Sequence, residues 1–243
     1  MTTAPSPARL PHASLETDSR LRKAKKIAAI VSRRIALQGI SMLEIGTGAG
    51  AMAAHFAALV GPQGKVTATD VHDQRQIRQG FEFHQVDDVH LPFADAQFDL
   101  VIYNHVIEHV GDRRDQKTHL AEIRRVLKPA GLAYIAAPNR WAVIEPHFRL
   151  AFLSWLPRPL RSPYVRLAGR GQRYDCDPLG YREFRRMLSE AGFHYSGCAA
   201  EAIAAMAEFE SHRAIVRLAG RLPKFLADSL HPLMATLIFV ARK

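Results

Sequence analysis

LEIGTGAG, residues 43–50, is a glycine-rich turn set between an apolar run and an alanine-rich helical pattern. Glycines at alternate positions let the backbone take conformations closed to other residues and let a ligand approach the main chain. The helix that follows, AMAAHFAALV at 51–60, would aim its partial positive N-terminus at whatever rests on the turn. A strand, a glycine loop and a helix in that order commonly hold a nucleotide at the carboxyl edge of a parallel sheet.

Working outward, the chain alternates. SMLEIG reads as a buried strand and AMAAHFAALV as a helix closed by Gly61-Pro62. KVTATD and FEFHQVD read as the second and third strands, joined by a connection too short and polar for a helix. FDLVIYN is apolar and β-branched, as a central parallel strand must be. THLAEIRRVLKPAG is a helix stopped by Pro129 and Gly131, and LAYIAAP is a fifth strand. Upstream, Asp18 or Ser19 can cap a helix from about Arg20 to Leu37. After Pro138 the regularity lapses into a proline- and arginine-rich segment from Trp141 to about Asp177, expected to be a lid. YREFRRMLSEAGF, FHYSGC, IAAMAEFESHRAIVRLAG and ATLIFVARK then read as helix, strand, helix and strand. The expected fold is α/β: Rossmann-like, doubly wound, with a mostly parallel seven-stranded sheet and a lid inserted after strand five. The expected organisation is a disordered tail over 1–18 and a single domain over 19–243. That domain carries the lid at about 141–177 and a helical insertion at about 201–232.

Two patterns fit the glycine loop. G-x-G-x-x-G/A can be placed on Gly46, Gly48 and Ala51, but so can acid-x-Gly-x-Gly-x-Gly on Glu44, Gly46, Gly48 and Gly50. The acid decides between them. A carboxylate inside a buried strand is costly without a role, and a dinucleotide has no use for it. A sulfonium ligand with an ammonium group does.

With those residues the chain resembles the class I S-adenosylmethionine-dependent methyltransferases, in the type 11, quinone-biosynthesis-like branch. The resemblance runs from about Ser41 to Pro138 and follows the family's order of motifs: LEIGTGAG, TATDV, VDDVHLPF, FDLVIYNHVIEHV and EIRRVLKPAGLAYIAAPN. It departs from the family in a shortened connection between strands two and three and in Val86, where a glycine is usual. The resemblance implies S-adenosyl-L-methionine as cofactor. It assigns Asp70, with Val71 beside it, to the ribose hydroxyls, and Asp87 or its neighbour Asp88 to the adenine amino group. Glu44 with Thr47 is placed at the loop and the methionine ammonium, and Asn104 at the end of strand four beside the cofactor.

Methyl transfer is an in-line displacement at a sulfonium carbon, so proximity and desolvation supply most of the catalysis. The protein need add only a base if the acceptor is a hydroxyl. Three histidines are candidates. His105 and His109 flank Glu108 in NHVIEHV; an H-x-x-E-H string also occurs in zinc peptidases, but there it lies within a helix and not after a sheet strand. A Glu-His pair that orders its loop by hydrogen bonds is the expectation here, and no metal. His147, in EPHFRLAFLSWLP, follows strand five on the acceptor side and is the favoured base.

The net charge of +10 is localised: ten arginines face four acids between Arg140 and Arg186, and Arg20, Arg22, Lys23, Lys25 and Lys26 open the first helix. Such patches attract nucleic acid, anionic lipid or an acidic substrate. Leu150, Phe152, Leu153, Trp155 and Leu156 are lid core, an apolar acceptor pocket or a membrane contact. Cys176 and Cys198 are isolated, form no metal-type spacing and fit a reducing, cytoplasmic setting. The leading expectation is O-methylation of a small anionic or amphipathic acceptor: a quinone precursor, a lipid or a saccharide intermediate. Its rivals are an RNA or protein methyltransferase and a noncatalytic cofactor-binding scaffold. No nucleic-acid-binding motif accompanies the basic patch.

Overall fold

The computed structural model describes residues 16–87, 89–209 and 220–243. Seven strands form one sheet in the order β3-β2-β1-β4-β5-β7-β6. These are β1 (Ser41–Ile45), β2 (Lys65–Asp70), β3 (Glu82–Gln85), β4 (Phe98–Asn104), β5 (Leu127–Pro138), β6 (His194–Gly197) and β7 (Thr236–Arg242). The first five run parallel, and β7 lies antiparallel between β5 and β6. β4 is buried along almost its whole length because both sheet faces are covered. One face packs on α3 (Arg113–Val126) and α5 (Tyr181–Glu190) through Leu120, Ile123, Phe184 and Leu188. The other packs on α1 (Thr17–Val31), α2 (Ala51–Val60) and α6 (Ala199–Phe209) through Ile27, Ile30, Phe56 and Ala202.

Strand order reverses between β1 and β4, and the crevice at their carboxyl ends is where a doubly wound sheet binds its ligand. The glycine loop after β1, the turn after β2, the NHVIEHV segment after β4 and the lid after β5 all open onto it.

Several boundaries differ from the sequence reading. α1 starts at Thr17 and ends at Val31, with Glu16 as its N-cap and no side-chain cap bond, so Asp18 and Ser19 lie inside it. Asp18 falls in the first turn, where an acid favours the helix dipole. α3 starts earlier, at Arg113, because Asp112 and Asp115 form a capping box there. It ends at Val126. Residues 128–131 enter a register shift of β5 between the pairs Phe98↔Leu127 and Leu100↔Leu132. The segment expected to be a lid is more ordered than its prolines suggest: it holds a short antiparallel bridge between Ile144 and Ala151 and a helix, α4 (Arg158–Leu167). Pro159 sits in the first turn of α4, where a missing N–H costs nothing. α6 begins at Ala199, ahead of the expected Ile203. Residues 1–15 of the expected tail and 210–219 of the helical insertion lie outside the described residues, while Thr17 and Asp18, expected in the tail over 1–18, belong to α1; α7 (Lys224–Ser229) follows residue 219.

Candidate active site

A cavity of about 740 Å³ fills the crevice. Gly46, Asp70, Val71, Val86 and Asn104 line it from the strand ends, and His105, Val106 and His109 from the turn after β4. The lid adds Pro146–Arg149 and Arg170–Arg173, and α1 adds Ser19, Arg20 and Lys23.

The glycine loop is held from behind. Glu44 is buried in β1, and its Oε2 accepts a hydrogen bond from the Thr47 hydroxyl at 2.8 Å. Burial pushes the Glu44 carboxyl up to about 8, against the pull of that bond and of nearby Arg20. Neither Glu44 nor Thr47 lines the cavity, so both act beneath the loop. The glycines are also required mostly by the protein itself. A Cβ on Gly46 would strike the Val106 side chain, and one on Gly50 would strike the Ile77 carbonyl; both residues have positive φ, 80° and 83°. Of the three, Gly46 alone lines the cavity.

Asp70 ends β2 and locks the loop to it: Oδ2 accepts from the Gly48 N–H at 2.8 Å and Oδ1 from the His72 N–H at 3.3 Å. Each oxygen keeps further acceptor capacity, and the residue lines the cavity. Asn104 ends β4, is buried, and its Nδ2 has no hydrogen-bond partner among the described residues. Asp87 is exposed, and the residue that lines the cavity at this point is Val86. Asp88 lies outside the described residues.

The catalytic candidates converge on Glu108, which is 1% exposed. Its Oε1 accepts from His147 Nε2 at 3.1 Å, lies 3.4 Å from His105 Nδ1 and 4.0 Å from His109 Nε2. Burial favours the neutral acid, but the bonds from His105 and His147 outweigh it and hold the carboxyl well below its ordinary range. The same carboxylate reverses the effect of burial on His147 and raises its imidazole above the ordinary value. His105 goes the other way: burial dominates and favours the neutral ring. Its backbone takes a left-handed φ of 57°, with its N–H bound to Ala136 O at 2.8 Å, so the turn after β4 is sharply fixed. Glu145 is buried one hairpin turn away, accepts from the Phe148 N–H at 2.7 Å, and is pushed toward its neutral form by burial.

Cys176 joins this cluster: its Sγ lies 3.8 Å from His109 Nδ1. Burial raises the thiol well above its ordinary range, so it stays protonated. Two groups, His109–His147–Cys176 and His105–Glu108–His147, bring ligating atoms within 4.8 Å of one another. The sequence signalled Glu108 and its two neighbours through local spacing. It gave no sign that His147 and Cys176, 39 and 67 residues away from their partners, complete the group.

The cavity is otherwise cationic. Arg149, Arg170 and Arg173 line it from the lid and Arg20 and Lys23 from α1, against Asp70 as the lining carboxylate. Burial lowers the Arg20 guanidinium while the charges of Glu44 and Asp70 sustain it.

Residues 43–135 match the model of the type 11 methyltransferase domain. Over that stretch the chain carries a type 11 methyltransferase domain. The cofactor implied by that domain is S-adenosyl-L-methionine. The chain is 34% identical over 175 residues to a ubiquinone/menaquinone biosynthesis C-methyltransferase UbiE of Pseudomonas putida, an alignment covering 64% of this chain and 65% of that one. The chain thus spans just under two thirds of that relative's length. The protein of the same description from Teredinibacter turnerae is 34% identical over 104 residues, 38% of this chain and 41% of that one. In fold, the chain is similar to an S-adenosylmethionine-dependent methyltransferase from Mesorhizobium loti, with a TM-score of 0.58 at 14% identity, covering 92% of this chain and all of that one. A TehB-like methyltransferase from Corynebacterium glutamicum gives 0.52 at 17% identity, covering 91% and 87%.

The residues present fit the methyltransferase cofactor. The unpartnered Asn104 Nδ2, the Asp70 carboxylate, Gly46 and Arg20 all line the cavity and would hold the cofactor there. Bound there, the cofactor supplies an electrophilic methyl on a sulfonium.

Proposed function

We propose that this methyltransferase methylates a small acceptor bearing an anionic group and an acidic hydroxyl, with the Glu108–His147 pair as its base. The observation that carries the reading is one cavity lined by Gly46, Asp70 and Asn104 together with His147 and three lid arginines. Arginine pairs bidentately with carboxylate or phosphate, so Arg149, Arg170 and Arg173 suit an acidic acceptor. His147 holds a ring nitrogen on Glu108 and turns its body to the cavity, and the buried carboxylate stabilises the imidazolium formed when the acceptor's proton is taken.

Oxygen is the proposed methyl acceptor. A second reading is favoured by the UbiE relatives, which are named C-methyltransferases. Removing a ring hydroxyl's proton also activates the carbon beside it, so the same base serves both outcomes. Incubating the chain with methyl-labelled cofactor and hydroxylated, carboxylated aromatic acceptors, then placing the label by NMR on oxygen or carbon, separates them. His147→Ala should lower turnover roughly 10²–10⁴-fold and leave cofactor affinity unchanged. Full turnover in that variant removes the base from the proposal.

A further inference from the structure

The lid has an outer face as well as a cavity wall. We infer that this outer face docks on an anionic lipid surface. The inference does not depend on the methyl-transfer reading, because it concerns side chains outside the cavity.

Large apolar side chains are exposed together on the lid: Trp141 (55%), Val143, Ile144, Phe152 and Trp155 (43%). They form one group. The Trp141 and Trp155 rings meet edge to face at 5.9 Å, and Phe152 and Trp155 at 5.0 Å. The Phe152 N–H donates to Val143 O at 2.7 Å, and Ile144 pairs with Ala151. Leu233, 78% exposed, extends the group: Asn139 donates to the carbonyls on both sides of it while its own Oδ1 receives the Trp141 N–H. Contiguous exposed apolar surface of this kind marks an interaction site. Arg149 and Phe152 both hold left-handed φ, 54° and 55°, a conformation side chains with a Cβ rarely adopt. The hairpin therefore presents its aromatic ring outward against local preference.

The charge selects the occupant. Residues 140–177 contain seven arginines, no lysine and three acids; Arg149, Arg170 and Arg173 line the cavity, Arg161 is buried and Arg158 pairs with Asp177, which leaves Arg140 and the exposed Arg166 outside it. Of those acids Glu145 is buried and Asp177 is engaged by Arg113 and Arg158. The Arg140 guanidinium lies 5.5 Å over the Trp141 ring, so a cation sits at the patch itself. Tryptophan and phenylalanine beside arginine match the headgroup level of an anionic bilayer. A second copy of the chain is a poorer fit, because self-pairing would set the same arginines against each other. Among the described residues no helix is long and apolar enough to cross a membrane, so the contact is peripheral. The tip of the same hairpin, Pro146–Arg149, lines the cavity.

The chain's two tryptophans are both in this patch, so intrinsic fluorescence reports on it alone. The full-length protein is titrated with vesicles of phosphatidylcholine alone or of equimolar phosphatidylcholine and phosphatidylglycerol. A blue shift, quenching by brominated acyl chains and loss of both at high salt are expected with the anionic vesicles. The double substitution Trp141→Ser, Phe152→Ser should weaken co-sedimentation on the order of tenfold or more, with circular dichroism and S-adenosylhomocysteine affinity unchanged. Should that variant misfold, acyl-chain quenching of the parent decides. Absence of quenching, equal binding to both vesicles, or a concentration-dependent dimer mass without lipid binding overturns the inference. So does retention by the double variant of the parent's vesicle affinity.

Discussion

Replacing Glu108 with Gln removes one charge and little else, because the side chain keeps its shape and an acceptor oxygen. Glu108 is fully enclosed, and its Oε1 receives His147 Nε2 at 3.1 Å. A hydrogen bond to a charged group contributes about 1.5–3 kcal/mol. For a chain of this size each kcal/mol moves the melting temperature by about 2–4 °C, so the loss should be roughly 3–12 °C. The pH dependence is more diagnostic than the size. Glu108 has a depressed folded value, so its contribution is present above the unfolded carboxyl value and is lost only as pH falls through the depressed one. His147 has a raised folded value, so its contribution is fully present below the unfolded imidazole value and is lost as pH rises through the raised one. The difference in melting temperature between parent and Glu108→Gln should therefore be largest between about pH 4.3 and 6.5 and shrink above. NMR titration of labelled histidine should show the His147 resonance titrating at lower pH in the variant. A pH-independent difference, or an unmoved His147 titration, would refute the coupling of these two residues.

Asp70→Ala should weaken S-adenosylhomocysteine binding about tenfold or more, since a charged hydrogen bond is lost and the Gly48 anchor with it; calorimetry on the folded variant checks it, and unchanged affinity would remove the ribose assignment. Arg170→Gln with Arg173→Gln should raise the Michaelis constant for an acidic acceptor and flatten its salt dependence, with kcat nearly unchanged. Turnover is expected to survive EDTA, because the Glu108 cluster is already tied together by hydrogen bonds; activity lost to the chelator and restored by zinc would make His109, His147 and Cys176 ligands.

What the sequence disclosed follows from range. The strands β1, β2 and β4 and the helix α2 were legible because buried parallel strands and a glycine-closed helix are written in adjacent residues. Asp70 was legible because its distance from the glycines is fixed by one helix and one strand. The wider role of the glycines was not: the clash that forbids a Cβ on Gly50 comes from Ile77, which only folding brings near. The α1 start was misread because a capping residue and a first-turn acid look alike in sequence. Asp87 matched a motif, yet it is exposed beside Val86, in a chain whose neighbouring connection is shorter than usual. Most of the active-site chemistry was hidden for the same reason as the Gly50 contact. His147 reaches Glu108, and Cys176 reaches His109, only through the fold.

The placement of His147 on the lid, and of its partner Glu108 on the turn after β4, has an evolutionary consequence. On the function proposed above, selectivity for an acceptor and the means of deprotonating it sit on one stretch of chain. A relative that acquired a new lid would change both in a single event, whereas drift confined to the sheet would change neither. Recombination between such enzymes would then yield two outcomes, a coherent new activity or none, with few intermediates. An engineer grafting lids onto this scaffold would need to carry the histidine with the arginines and leave the waiting carboxylate untouched.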